Sequence, residues 1–384
     1  SGRFCTIDAI CTVTMSNLKI QNGNVSGSEV DGGGAIWNNG TLAAFYCTFN
    51  DNNAASGGAY GCYYQAKFLA TGCTFSNNNA SNTGGAIENF RSEFQATGCI
   101  FNNNNAELGG TIDNWSDEFQ ASEFQATECT FSNNHATSAG VISNGGMSNS
   151  GTATFECCRF VDNTATVANA IYNDAGTAAA TNCWWGTNVP DATALFGGTT
   201  VTYEPYIIIN LLPDPLFIPV GIPTPVTADF THNSDGTLNG CTIMNGTPVI
   251  FSSSADVVIT PTLTYFVDGL ATTTVLDTHV TGTFTFCAET DTDISAGYSY
   301  CETVTFMDLT EVYVSALDGD DNNLGDAPER PVKTIQTGLD RLSIVSTDTL
   351  YIYLEQGNTF AGTDNKDLII TKTNLVITSY FGVH

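Results

Sequence analysis

Gly84-Gly85-Ala86-Ile87, followed by Cys99-Ile100-Phe101-Asn102-Asn103-Asn104-Asn105-Ala106, decides the fold because both elements return along the chain. The Cys-x-aromatic element recurs at Cys47-Thr48-Phe49, Cys73-Thr74-Phe75, Cys129-Thr130-Phe131, Cys158-Arg159-Phe160 and Cys183-Trp184-Trp185, with intervals of 26, 26, 30, 29 and 25 residues. Just beyond the aromatic come Asp51-Asn52, Asn77-Asn78, Asn103-Asn104, Asn133-Asn134 and Asp162-Asn163, and then Ala54, Ala80, Ala106, Ala136 and Ala165. The glycine element precedes each Cys block as Gly33-Gly34-Ala35-Ile36, Gly57-Gly58-Ala59-Tyr60 and Gly109-Gly110-Thr111-Ile112, and in degraded form as Ala139-Gly140-Val141-Ile142 and Ala168-Asn169-Ala170-Ile171.

A period of this length, holding short β-rich pieces separated by Gly and Asn, fits one coil of a parallel β-solenoid with coils stacked roughly 4.8 Å apart. Helical repeats are excluded, since Gly, Asn and Thr form helices poorly and no segment spaces its apolar residues by three and four. Alternation along a strand puts the Cys and the aromatic on one face. Cys47, Cys73, Cys99, Cys129, Cys158 and Cys183, with Phe49, Phe75, Phe101, Phe131 and Phe160, are therefore expected as inward ladders. The Asn positions follow the strand, where left-handed backbone is tolerated and side-chain amides can bond from coil to coil.

The paired motifs Gly-Gly-Ala-Ile and Phe-x-x-Asn resemble the repeats of chlamydial polymorphic outer-membrane proteins and of the right-handed parallel β-helix proteins of archaeal and bacterial surfaces, often called adhesin-like. The closing Asn182-Cys183-Trp184-Trp185-Gly186-Thr187-Asn188 is similar to the last coil of many such helices. The resemblance covers roughly residues 5–195 and implies the fold, which hosts adhesins, lyases and fibres alike.

The 384 residues carry 39 acidic against 10 basic side chains, a net charge of −29. Such a surface repels phosphate backbones and anionic lipid, which argues against nucleic-acid partners and electrostatic membrane docking. The longest apolar stretch, residues 206–226, is broken by five prolines and reads as an extended linker rather than a membrane span. Thirteen Cys without any C-x-x-C spacing point to an oxidising compartment or an inward thiol stack rather than to zinc.

Past about residue 200 the pattern changes to alternating apolar strands, and residues 200–308 read as an antiparallel sandwich. Asn245-Gly246-Thr247-Pro248-Val249 and Asp268-Gly269-Leu270-Ala271 resemble Ig-like modules of microbial surface proteins. Cys287 and Cys301 flank a hairpin-like stretch and are the disulfide candidates; Cys5, Cys11, Cys62, Cys157 and Cys241 stay unassigned. Residues 309–384 look like the opening of a second β-helix: a first strand, an acidic loop, a capping helix over residues 334–342, and coil strands near residues 351–354, 368–371 and 375–378.

Little chemistry is legible. Carbohydrate lyases and hydrolases on β-helices need clustered acid and base groups, whereas Arg3, Lys19, Lys67, Arg91, His135 and Arg159 scatter over different coils. His135 replaces the Asn of other coils and reads as a solvated turn residue. Glu88, Asp113, Glu118 and Glu123 read as a solvent-facing acidic stripe. Asp318, Asp320, Asn322, Asp326 and Glu329 match a calcium-loop spacing in part, with Asn323 standing where the loop's turn Gly belongs; no cofactor is expected, and calcium is the one candidate. Five Asn-x-Ser/Thr sites, at Asn24, Asn39, Asn79, Asn114 and Asn245, leave glycosylation open.

The expected function is a non-enzymatic extracellular structural protein that assembles head-to-tail with itself into a filament, sheath or surface layer. A carbohydrate- or cell-binding adhesin stalk is the alternative, and a polysaccharide lyase a third reading. The junction is read from Asn17-Leu18-Lys19-Ile20 and Asn374-Leu375-Val376-Ile377, two copies of Asn-Leu-x-Ile. Leu18, Ile20, Leu375 and Ile377 would meet where the end of one unit completes the first coil of the next. In a competing reading, the two ends of one chain close a single β-helix with the sandwich inserted.

Overall fold

The computed structural model describes residues 2–25, 32–146, 151–212, 216–254, 257–276, 282–291, 298–321, 323–343, 346–361, 365–366 and 368–381. The first half is a parallel β-helix. One coil runs Ile87–Phe90, Glu93–Thr97, Ile100–Asn102 and Asn105–Ala106, and the chain re-enters the first sheet at Ile112–Ser116. Stacked coils build four parallel sheets, two of eight strands, one of six and one of five. The first spans Cys5–Ile7 to Phe196–Gly198, and the second Thr12–Ser16 to Val201–Thr202.

Register is strict because each inward side chain packs on its own kind. Phe75 pairs with Phe49 on one side and Phe101 on the other, and the stacked ring centroids from Phe49 to Phe160 lie 4.8 to 5.2 Å apart. Trp185 ends this column, stacked on Phe160 at 4.4 Å. A second column, Phe68, Phe94 and Phe124, would continue at Ala153, but Phe155 lies two residues farther along, opposite Ala126. The Phe and Ala positions exchange between coils, which keeps the core volume constant. The six ladder thiols are buried and unbridged.

The glycine element is explained by backbone contact. Its first Gly has positive φ (Gly33, Gly57, Gly84 and Gly109). A Cβ on the second would strike the next coil's carbonyl oxygen, at 2.2 Å for Gly58 and 2.0 Å for Gly85. The Asn element uses two neighbouring roles. Asp51, Asn77, Asn103, Asn133 and Asp162 take the left-handed conformation. The next residue points inward, and Asn52, Asn78, Asn104, Asn134 and Asn163 form a buried amide ladder with steps of 2.9 to 3.0 Å. A further ladder, Asn89 to Asn114 to Asn144 to Asn173 at 2.7 to 2.8 Å, supports the first sheet. Asn114, fully buried within it, is closed to glycosylation in the folded protein.

After Val201–Thr202 the chain builds two sheets around one core. One orders Asn210–Leu212, Thr224–Asp229, Leu270–Leu276 and Val258–Thr260, all antiparallel. The other orders Leu216–Pro219, Tyr298–Met307, Gly282–Thr290, Pro248–Ser253 and Leu263–Tyr265, antiparallel except for its first pair. Phe230, Phe251, Phe266 and Phe286 are among the side chains filling the space between them.

The last part is a three-stranded parallel sheet, Glu311–Val314, Leu350–Glu355 and Leu375–Tyr380. The helix Ile335–Arg341, capped by the Thr334 side chain, packs Ile335 and Leu339 into the core beneath it. Residues 368–371 are not a strand; Ile369 and Ile370 are exposed, and the Ile369 N–H donates to the Gln336 side chain. This sheet shares no described strand with the β-helix sheets, so the two ends of the chain do not close a single β-helix here. Among the described residues, no helix is long and apolar enough to cross a membrane.

Candidate functional site

The outward positions of the first sheet alternate with the buried Ile and Asn residues, and they gather the chemistry that scatters in the sequence. One outward column reads Trp37, Gly61, Glu88, Asp113 and Ser143; the next reads Tyr63, Phe90, Trp115 and Gly145. Between these columns and the turn carrying Asn82 and Glu107 lies a groove of about 550 Å³, walled by Tyr63, Phe90 and Trp115 and floored by Glu88 and Asp113. Tyr63 stacks on Phe90 at 4.4 Å and faces Trp37 at 6.2 Å.

The two carboxyls correct the expectation of a solvent-facing stripe. Asp113 is 6% exposed and Glu88 is half-buried, and the register sets them side by side on neighbouring coils. Burial, and then the charge of Asp113, pushes Glu88 up to about 8. Burial pushes Asp113 up to about 7 against the pull of a hydrogen bond from Ser143. Near neutrality the pair therefore shares protons rather than holding two charges. Glu118 and Glu123 lie outside the groove wall, exposed.

Flanking cations are engaged elsewhere. Arg91 pairs with Asp117 and lies over the rings of Tyr64 at 4.6 Å and Phe90 at 4.9 Å. Arg3 sits 5.6 Å over Trp37 and donates to the Gly32 carbonyl. Lys67 pairs with Glu93 on the second sheet at 2.7 Å. His135 is exposed in the column of Asn105, with Nδ1 2.9 Å from Thr164 Oγ1.

A second concentration of buried polar groups joins the β-helix to the sandwich. Arg159 of the Cys-x-Phe strand pairs with Asp291, whose other oxygen accepts from Trp184 Nε1 at 2.8 Å. Trp184 also meets Phe230 and Tyr298 edge-on, so with Val161 it belongs to the core of the sandwich. Cys157 is bonded to Cys241 across this junction, and Asn233 donates to Asn182 at 2.7 Å. Within the sandwich, Cys287 is bonded to Cys301. The sequence leaves Cys157 and Cys241 open because their 84-residue separation carries no local signal.

The acidic loop is not gathered into a site. Asp318, Asp320 and Glu329 are exposed, Asp326 pairs with Arg330, and Asn322 lies outside the described residues. The neighbouring Asp321 instead accepts from the backbone N–H groups of Lys333 and Thr334, both at 2.8 Å. Among the described residues, no group of three or more metal-ligating side chains converges. At the expected junction, Ile20 is buried under the second coil, while Leu18 is 41% and Ile377 43% exposed and Leu375 is half-buried. Asn17 and Asn374 both take left-handed backbone just before their strands.

Comparison with known protein families and with curated proteins returns no match.

Proposed function

We propose that this chain is a non-enzymatic, extracellular structural module: a rigid β-helix rod fused to a spacer domain, one unit of a head-to-tail assembly. The observation that carries this reading is the junction. Modules joined by a simple linker move relative to one another unless their interface is large and apolar. Here Trp184 and Val161 of the last coils are part of the sandwich core, with a buried ion pair and the Cys157–Cys241 bond beside them. The shared core fixes the angle between rod and spacer, which a tension-carrying or lattice-forming protein needs. Two disulfides favour an oxidising, extracellular setting.

The spacer reading draws on the resemblance to Ig-like modules, supported by two sheets around one core and the parallel pairing of Leu216–Pro219 with Tyr298–Met307. Self-assembly draws on the edge strand Leu375–Tyr380, which pairs on one side with Leu350–Glu355 and presents Val376 and Ile377 to solvent. Such an edge templates another parallel strand, and the matching Asn17 and Asn374 turns make the Lys19–Gln21 coil of a further copy the fitting partner. Light scattering across a concentration series tests this. Particle size should grow with concentration and Ile377→Lys should suppress the growth; a monodisperse particle at every concentration would remove the assembly reading.

A further inference from the structure

The groove over Glu88 and Asp113 has no role in a rod. Two carboxyls are held side by side with, among the described residues, no ion-pair partner for either. Isolated burial of acids is costly to a fold and concentrates at binding sites. The same groove is walled by three aromatic rings. In the next coil the position in register with Trp115 is Gly145, so no side chain stacks on the indole from that position. The wall ring Phe90 and the neighbouring Tyr64 already carry a cation, the Arg91 guanidinium, which leaves Trp115 as the wall ring on which a further cation would pack. A hard divalent ion would require several converging oxygens, and no such group is present among the described residues.

Carboxylates below and aromatic faces beside them are the recognition chemistry of a weakly hydrated organic cation. We propose that the groove formed by Glu88, Asp113, Tyr63, Phe90 and Trp115 binds an organic ammonium group, presented by a free amine or by an alkylated amine side chain of a peptide. The cation supplies the charge partner that the pair lacks, and its methyl or methylene groups pack on the rings. The titratable and charged groups around the site are Glu107 and Tyr63 in the groove, Arg91 with Asp117 on one flank, and Arg3 over Trp37 on the other. Because Glu88 and Asp113 retain protons near neutrality, binding should release protons there and tighten as pH rises through 7 and 8.

The test uses the full chain with choline as the free cation, a peptide bearing one trimethyllysine as the protein-borne cation, and 3,3-dimethylbutan-1-ol as the uncharged isostere of choline. Titration calorimetry and tryptophan fluorescence should show binding of a cation about tenfold tighter at pH 9 than at pH 6 and no binding of the isostere. Trp115→Ala and the double variant Glu88→Gln, Asp113→Asn should each weaken it at least about tenfold. The amide variant removes buried charge and should fold at least as stably as the parent at pH 9, which a urea melt at that pH checks, so loss of binding there is not loss of fold. Tighter binding of the peptide than of choline assigns the ligand to a side chain; the reverse order assigns it to a free amine. The proposal is overturned if neither cation binds at pH 9, if the isostere binds as well as choline, or if Trp115→Ala and the amide variant leave affinity unchanged.

Discussion

Replacing Asp113 by Asn should stabilise the protein in alkaline solution and leave it unchanged in acid. In the unfolded chain Asp113 titrates near 3.8, and in the fold it is pushed up to about 7. The folded state therefore holds the proton more tightly, and stability is lost as pH climbs from the unfolded value through the folded one. Below about pH 4 the carboxyl is protonated in both states and costs nothing extra. Above about pH 8 the full penalty applies: roughly three units at about 1.4 kcal/mol each, or about 4 kcal/mol. The asparagine amide has the same shape as the carboxyl it replaces, keeps an acceptor for Ser143 and carries no charge at any pH. Glu88→Gln should act in the same direction, from 4.5 to about 8, with less than additive gain in the double variant because each carboxyl is part of the other's burden. Urea unfolding followed by tryptophan fluorescence at pH 4, 7 and 9 reads the difference, and the carboxyls other than Glu88, which the Asp113 charge itself perturbs, cancel between variant and parent. A difference that is the same at pH 4 and pH 9, or a parent more stable than the variant at pH 9, would refute the buried-pair argument.

Other consequences follow from the packing. Gly85→Ala places a Cβ 2.0 Å from the Gly110 carbonyl and should cost about 3 kcal/mol or more, whereas Gly98→Ala, with φ +59 but open space around it, should cost about 1 kcal/mol; thermal melts by circular dichroism compare them. Asp291→Ala removes the buried carboxylate that pairs with Arg159 and accepts from Trp184 and should destabilise by about 3 to 5 kcal/mol, and a double-mutant cycle with Arg159→Met in urea should show a coupling of at least about 1 kcal/mol between the two side chains. Thiol titration should find nine free cysteines after denaturation, but in the native protein rapid reaction only at exposed Cys11 and half-buried Cys5, since the ladder thiols are buried; rapid native reaction of Cys73 or Cys129 would contradict the closed core.

The sequence by itself determined the solenoid. A coil repeats its neighbour's environment, so the inward Cys and Phe, the left-handed Asn or Asp, and the glycine whose Cβ would strike the next carbonyl all recur in the chain as text. The Asn89–Asn173 ladder leaves a trace of the same kind, the recurring Ile-x-Asn of Ile87-Glu88-Asn89, Ile112-Asp113-Asn114 and Ile142-Ser143-Asn144, fainter than the Cys-x-Phe signal and recognised only once the amides are seen bonded. What the repeat cannot carry is anything that breaks it. Glu88 and Asp113 fill the variable position of that Ile-x-Asn repeat, so the text places them on neighbouring coils, but it reads as a solvated stripe until the fold buries Asp113 and half-buries Glu88 beneath the aromatic rings. Arg159 is a stray base in the sequence until Asp291, 132 residues away, faces it in the fold. Cys157 finds Cys241 for the same reason. Periodic features are written locally because every coil must satisfy the same backbone; the groove and the junction depend on long-range neighbours, which only the tertiary structure chooses.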